Sequence, residues 1–383
     1  MDFHLTDEQR MLEDAVARFV ARFVAREPSA TPHADAKTTR DAADQYWHGL
    51  AELGLLGLPF DEAHGGSSGG HIETALVMQQ FGKALVIAPY TAAIVQIAAL
   101  MQRIGPDDWK RSLVPQIAEG RLRLAIAHEE AGDPLLGSHI DTTCRPGDNG
   151  FVVRGHKTAV LSTNADALLV VARHRTATSN DDRFSILLVR ADADGVTHRQ
   201  YPAIDGSQVS EYIFDDVHVP SRDVIYSGSD AFCHLAYADD AARLALCAEA
   251  VGILDAMTAQ TVAYSKTRKQ FGVAIGSFQA LQHRMVEMFV HCEQARSALW
   301  RAVAHMGDDT ARADACSAAK ALIGFAARFI GQQAIQLHGG MGMSDEMQIS
   351  HYFRRLTAIE QTLGNSAAHL RRLAIGISAG ARC

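Results

Sequence analysis

The chain is 383 residues long, 48% hydrophobic and 21% charged, with no low-complexity or long like-charge segment, which predicts two or three domains' worth of ordered, packed structure. Its formal charge of -8, from 36 basic and 44 acidic residues, argues against a nucleic-acid-binding surface. Six cysteines, Cys144, Cys233, Cys247, Cys292, Cys316 and Cys383, occur without a Cys-x-x-Cys pair or partnering histidines, so they read as reduced thiols and exclude a disulfide framework and a metal site.

The opening MDFHLTDEQR is charged and begins a helix, unlike a signal peptide or anchor. No apolar run reaches membrane-spanning length, and the expected compartment is the cytoplasm, with no membrane partner. Thr6 and Gln9 form a capping box, and Leu12, Val16, Phe19 and Phe23 repeat at helical spacing behind it. Helices are expected at 41–53, 71–84, 89–103 and 107–119, closed by Gly54, Gly105, Gly120 or a polar turn.

From 121 to about 225 the period changes. GFVVRGH, ALLVVARH, FSILLVRA and EYIFDDVHVP are short β-branched runs between Gly, Asp and Asn turns, which predicts an antiparallel β-barrel or sandwich. Beyond about 235 the chain returns to long Ala- and Leu-rich helices at 235–265, 278–305, 310–336 and 345–362, a four-helix bundle. The expected class is therefore α+β in three domains: helical over 1–120, β over 121–230, and a helical bundle over 231–383. This order is not doubly wound, and neither a strand-GxGxxG-helix nor a GxxxxGK[ST] element is present.

Four stretches invite a chemical reading. Gly65-Gly66-Ser67-Ser68-Gly69 matches Gly-x-Ser-x-Gly, which raises a serine hydrolase using Ser67, yet a helix and a Pro-Phe-Asp loop precede it where a nucleophile elbow needs a strand. Arg268-Lys269-Gln270-Phe271-Gly272 and Gln336-Leu337-His338-Gly339-Gly340 each close a helix. Alone, each reads as a C-cap with a basic last turn; together, their glycines and arginine suit close approach to a phosphate. Finally, Leu363-Gly364-Asn365-Ser366 interrupts a helical pattern and reads as a stop followed by a new N-cap.

Taken jointly with Trp47-x-x-Leu50-Ala51-Glu52-Leu53-Gly54, Gly65-Gly66 and Phe214-Asp215-Asp216-Val217-His218-Val219-Pro220, these stretches give a chain that resembles the acyl-CoA dehydrogenases over essentially its whole length. The resemblance implies FAD as cofactor, an acyl-CoA substrate, and homodimers or dimers of dimers with FAD across a subunit interface. It places the ADP end of the flavin on Arg268, Phe271, Gln336, Gly339 and Gly340, with Ser366 keeping a hydroxyl on the ring side. It puts Asp240 and Arg243, in Asp-Asp-Ala-Ala-Arg, on the acyl-CoA-facing helix, where a plain helix-surface pair is the alternative.

Such an enzyme needs a carboxylate to take an α-proton while a hydride leaves the β-carbon. The family holds it in Tyr-Glu-Gly-Thr before the last helix. Aligning Arg355 and Arg371 puts that glutamate at Gly364, and the second home used by some members is Ala242. Glu360 and Glu249 are the remaining, weak candidate bases, each more simply read as a polar helix residue. The family's Thr-Glu-Pro-Gly becomes Glu129-Glu130-Ala131-Gly132, its Trp-Ile-Thr becomes Ala159-Val160-Leu161 after Lys157, and Thr-x-Gln becomes Ser366-Ala367-Ala368. The ring-side contacts are thus altered while the ADP-side segments are intact. That asymmetry, with Arg-Leu-Thr-Ala-Ile-Glu and Leu-Gly-Asn, resembles small subunits of the pimeloyl-CoA dehydrogenase type. Two dehydrogenase readings follow, a subunit that works with a paralogous catalytic partner or a self-sufficient enzyme with a non-standard base, beside the remote serine hydrolase.

Overall fold

The computed structural model describes residues 4–26, 45–132, 140–161, 164–175 and 183–379. In chain order they form α1 (Asp7–Arg26), α2 (45–52), α3 (His71–Ala84), a π-helical turn (Thr91–Gln96) running into α4 (Ile97–Arg103), and α5 (Asp107–Ala118). Then come β1 (Leu124–Ala127), β2 (Thr143–Gly147), β3 (Gly150–Val160), β4 (Ala167–His174), β5 (Phe184–Arg190), β6 (Val196–Pro202), β7 (Gln208–Pro220) and β8 (Val224–Gly228). The C-terminal part holds α6 (Ala231–Thr267), a short hairpin of β9 (Lys269–Gln270) and β10 (Val273–Ala274), α7 (Gln279–His305), α8 (Arg312–His338), α9 (Gln348–Gln361) and α10 (Ser366–Ala379). The first residues of the expected 41–53 helix and Cys383 lie outside the described residues.

The chain packs as two compact units. One takes the described residues of 1–39, 71–87 and 243–383, the other those of 40–70 and 88–242.

In the first unit the capping box forms as its sequence requires. The Thr6 amide donates to Gln9 Oε1 at 3.0 Å and the Gln9 amide to Thr6 Oγ1 at 3.2 Å. Val16 and Val20 bury the inner stripe of α1, and Gln9 and Glu13 are tied to Glu73 and Gln80 of α3. Helices α3 and α6 cross at backbone contact: a Cβ on Gly82 would stand 2.0 Å from the Glu249 carbonyl oxygen, and one on Gly252 2.1 Å from that of Gln79. Helix α8 lies at the centre, packed by α7, α9 and α10. Its small buried side chains, Ala315, Ala319, Ala326, Ala327 and Ala334, let those neighbours come close.

In the second unit the strands make one sheet in the order β6-β7-β3-β2-β4-β5-β8, with β1 also pairing β4. Of the expected antiparallel barrel or sandwich, a closed barrel is not what forms. The strand order is an open path, and the pairing is not wholly antiparallel. One edge of β4 is shared by two strands, with β1 parallel over Leu124↔Ala167 to Ala127↔Val170 and β2 parallel at Thr143↔Arg173 and Cys144↔His174. Cys144, Val153, Leu168, Val170, Leu187, Tyr212, Phe214 and Val217 fill the core of the sheet. Beside it, Trp47 of α2 is buried under the Arg123 guanidinium, and Tyr90 donates from its hydroxyl to the Leu55 carbonyl at 2.8 Å.

Candidate functional site

The break at Gly364 is a built turn. Helix α9 ends at Gln361, Leu363 and Gly364 both take left-handed backbone (φ 54° and 94°), and Asn365 caps α10 by accepting the Ala368 amide at 3.0 Å. Glycine suits such a φ, whereas a leucine there is strained by about 1 kcal/mol and must be held by its surroundings. Three buried side chains hold it. Lys320 of α8 donates from Nζ to the carbonyls of Ile359 (2.9 Å), Glu360 (3.0 Å) and Gly364 (2.9 Å). Arg243 Nε and His369 Nε2 both donate to the Leu363 carbonyl at 3.1 Å. With Nε2 donating, neutral His369 accepts from Ser317 Oγ on Nδ1 at 3.2 Å.

Electrostatics follow from this packing. Burial pushes the Lys320 ammonium below its usual value, and Arg243 pushes in the same direction. Burial, then the Arg243 and Lys320 cations, bring His369 down to about 3, so it stays neutral. Loose polar tethers at a helix end would be mobile; these are enclosed, which makes the turn rigid.

The two candidate bases have structural occupations. Glu249 faces Arg355, which donates to it from both Nε and Nη2, the latter at 2.7 Å. Glu360 accepts the Ser366 amide on Oε1 at 3.0 Å, fixing the first turn of α10, while its Oε2 is buried against Gly324 with no hydrogen-bond partner. Ser366, expected on the flavin ring, is buried, and its hydroxyl donates to the Ala321 carbonyl at 3.2 Å. Asp240 and Arg243 are fully buried on α6, one turn apart, not a surface pair. The second home of the base is Ala242, also buried.

Arg268 and Phe271 lie just past α6, and Gln336, Gly339 and Gly340 at the end of α8, in the same unit. Tyr264, one turn before Arg268, stacks on His338 with ring centroids 4.3 Å apart, joining the ends of α6 and α8. Phe271 and Gly272 both have positive φ (55° and 83°) and close the β9-β10 hairpin as a two-residue turn, leaving Phe271 92% exposed. Gln336, Gly339 and Gly340 are exposed as well, and no atom lies within 4 Å of where a Cβ on either glycine would point. Open glycine backbone, an exposed arginine and a projecting aromatic ring are each features that suit an ADP moiety.

In the other unit, the segment after β1 is polar and runs from buried His128 through half-buried Glu129 and Glu130 to exposed Gly132. Lys157 Nζ donates to Glu130 Oε1 at 2.6 Å and to the His128 carbonyl at 3.2 Å. Glu130 also accepts the Asp141 and Thr142 amides at 2.7 and 3.1 Å. Burial pushes Lys157 down to about 8 despite Glu130. For Glu130 burial acts upward, and Lys157 and the amides outweigh it, leaving the carboxyl below its usual value. The lysine is wholly enclosed and the carboxylate keeps a wet edge, so burial wins at Lys157, pairing wins at Glu130, and both groups sit below their usual values. Opposite stands His128, 3.5 Å from Asp239 of α6, which accepts from Gln96 of the π-helical turn at 2.7 Å.

Sequence reasoning missed Lys320, His369, His128 and Asp239. Lys320 was findable as a cation on the apolar stripe of Ala315, Ala319 and Ile323, and His128 as a polar end to Leu-Ala-Ile-Ala. Ser67 is exposed in an irregular stretch after short 3-10 turns, with no strand before it, so no nucleophile elbow forms. Among the described residues no His, Cys, Asp and Glu group could hold a metal ion, and no helix is long and apolar enough to cross a membrane.

Helices, then a sheet, then long helices in that chain order are the architecture of the acyl-CoA dehydrogenase fold. Comparison with known proteins agrees. The sequence matches the N-terminal, middle and C-terminal domains of acyl-CoA dehydrogenase over residues 6–121, 125–217 and 238–377. It is 30% identical to YngJ of Bacillus subtilis, named a probable acyl-CoA dehydrogenase, over 98% of both chains. Among solved structures, a glycine-to-alanine variant of the Tcur3481-Tcur3483 steroid ACAD superposes with a TM-score of 0.82 at 28% identity over 98% of both chains. The ChsE4-ChsE5 complex from Mycobacterium tuberculosis shares the fold, with a TM-score of 0.85 at 23% identity over 99% of both chains. The chain belongs to the acyl-CoA dehydrogenase family, FAD-dependent oxidoreductases that act on acyl-CoA, and FAD is its cofactor.

Proposed function

We propose that this chain is one subunit of a heteromeric acyl-CoA dehydrogenase that converts an acyl-CoA to its 2-enoyl-CoA, holding the ADP end of FAD while a paralogous chain supplies the base. The observation that carries this reading is the 363–365 turn, which has no carboxylate in either alignment. Aligning on Arg355 and Arg371 puts Gly364 at the glutamate. Setting Gly364 on the glycine of Tyr-Glu-Gly-Thr, and the N-cap Asn365 on its threonine, puts Leu363 there instead. The second register suits the turn better, because threonine and asparagine are both N-cap residues.

When bound, FAD supplies the acceptor for the β-hydride. This chain's own residues bind and orient. Arg268 and the open backbone at Gly339 and Gly340 would grip the pyrophosphate, and Phe271 would cover the adenosine side. Arg243, Lys320 and His369 hold the Leu363 turn rigid without offering an effective base, since the cations have no acceptor and His369, down at about 3, binds a proton weakly. An apolar face on α7 and α8, with Val286, Phe289, Val290, Leu322 and Phe325 exposed, supports a second chain as partner. YngJ and the steroid ACAD pair are the relatives whose names agree with this class.

The test is expression of the chain alone and with a neighbouring paralogue, followed by flavin content and dye reduction across a panel of acyl-CoAs. Turnover only in the co-expressed form is expected. Full flavin occupancy and turnover by the lone chain would overturn the reading.

A further inference from the structure

His128 is a buried imidazole whose two ring nitrogens make no hydrogen bond, a costly arrangement unless something else compensates. Three elements converge on it. Asp239 of α6, fully buried, lies 3.5 Å from Nε2, at the outer limit of a hydrogen bond and within ion-pair reach. Gln96 donates to the same Asp239 oxygen at 2.7 Å, and it does so from a π-helical turn, a rare geometry that places its amide there. From β3, Lys157 grips the His128 carbonyl and Glu130 together. A register shift in the β3-β7 pairing between Lys157 and Val160 bends the strand just past this lysine. The segment 128–132 is therefore pinned by its main chain to β3 and by one side chain to α6.

We propose that His128 and Asp239 are positioning residues that form a protonation-dependent latch on the segment 128–132, closed while the imidazole carries a proton and loosened when it is lost. The neighbouring charges favour the closed form. Burial alone would lower the imidazole, but Asp239, and after it Glu129, outweigh both burial and the opposing Lys157 cation, so His128 titrates above an ordinary histidine. A group whose pKa is raised on folding lends stability that is complete below about 6.5 and is lost as pH climbs through the folded value. The latch thus opens on the alkaline side, and FAD binding follows it if this segment faces the flavin ring. That last clause rests on the family alignment of Glu129-Glu130-Ala131-Gly132.

The purified wild-type protein, Asp239→Asn and His128→Gln are compared by histidine-selective 15N NMR, by melting temperature from pH 6 to 9, and by FAD retained on gel filtration. An imidazole that titrates above 6.5, is absent from His128→Gln and moves down in Asp239→Asn is expected. The wild-type melting advantage over His128→Gln, about 1–3 °C at pH 6, should vanish toward pH 9. Retained FAD should fall several-fold over the same range in wild type only. A neutral His128 at pH 6, or a melting difference independent of pH, overturns the latch. If His128→Gln does not fold, the wild-type NMR titration and Asp239→Asn decide alone. A latch with pH-independent FAD retention would remove the flavin clause and leave the latch, whereas no FAD at any pH alongside a normal latch would count against the flavin reading.

Discussion

Lys320 Nζ sits 2.9 Å from the carbonyl oxygen of Gly364, tying the central helix α8 to the turn between α9 and α10. The same ammonium reaches the last carbonyls of α9, so one buried cation caps a helix and fixes the turn that follows it.

Replacing it should be costly. Lys320→Met would strand three buried carbonyls, and a loss of about 2–4 kcal/mol in urea unfolding is expected. A change under 0.5 kcal/mol would mean water takes over the role.

The two alignments of the missing glutamate separate by backbone strain. Leu363 already holds a left-handed conformation, so Leu363→Glu adds a carboxylate without new strain and beside Arg243 and Lys320. Gly364→Glu must adopt φ 94° afresh and should be less stable than Leu363→Glu by about 1 kcal/mol. Paired thermal melts measure this, and deuterium exchange at the α-carbon of a bound acyl-CoA shows which variant presents its carboxylate to substrate.

Acid should act through His369. Its pKa, about 3 in the fold, lies below the ordinary value near 6.5, so the unfolded chain takes up a proton between those values that the folded chain refuses. Stability should therefore fall with decreasing pH by at most about 1.4 kcal/mol per unit from this residue, a slope that His369→Gln removes. Unfolding titrations from pH 7 to 4.5 read it directly.

Glu249 and Arg355 form a buried bidentate pair, with side chains 3% and 12% exposed. Arg355→Met leaves an uncompensated buried charge and should cost about 3–5 kcal/mol, most of it recovered in the Glu249→Leu, Arg355→Met double variant. Failure of the second change to rescue would show that Arg355 acts by something other than this pair.

Phe271, 92% exposed on its hairpin turn, contributes little to the fold of its own chain. Phe271→Ala should leave the melting temperature within about 1 °C, since exposed substitutions rarely exceed 0.5 kcal/mol, yet weaken FAD retention in the assembled protein several-fold. Flavin fluorescence after dilution distinguishes the two effects.

Much of this was legible in one dimension. The capping box at Thr6 and Gln9, the alternation of helical and β-branched periods, and the stop at Gly364 are local signals, and local physics honoured each. The sheet was harder. Pairing β1 and β2 along one edge of β4 depends on contacts about forty and thirty residues apart in the chain, and nothing in the strands' own alternation distinguishes an open mixed sheet from a barrel. The buried polar groups were hardest. Lys320 and His128 look like ordinary polar residues until the helices carrying Glu360, Gly364 and Asp239 are folded against them. Their meaning lies in partners between 40 and 111 positions away.

The Leu363 turn is anchored from α6, α8 and α10, and none of the three anchors is a carboxylate. For protein engineers that makes this corner an unusually firm socket, in which a new functional group could be tried by changing one side chain while the surrounding framework stays as it is.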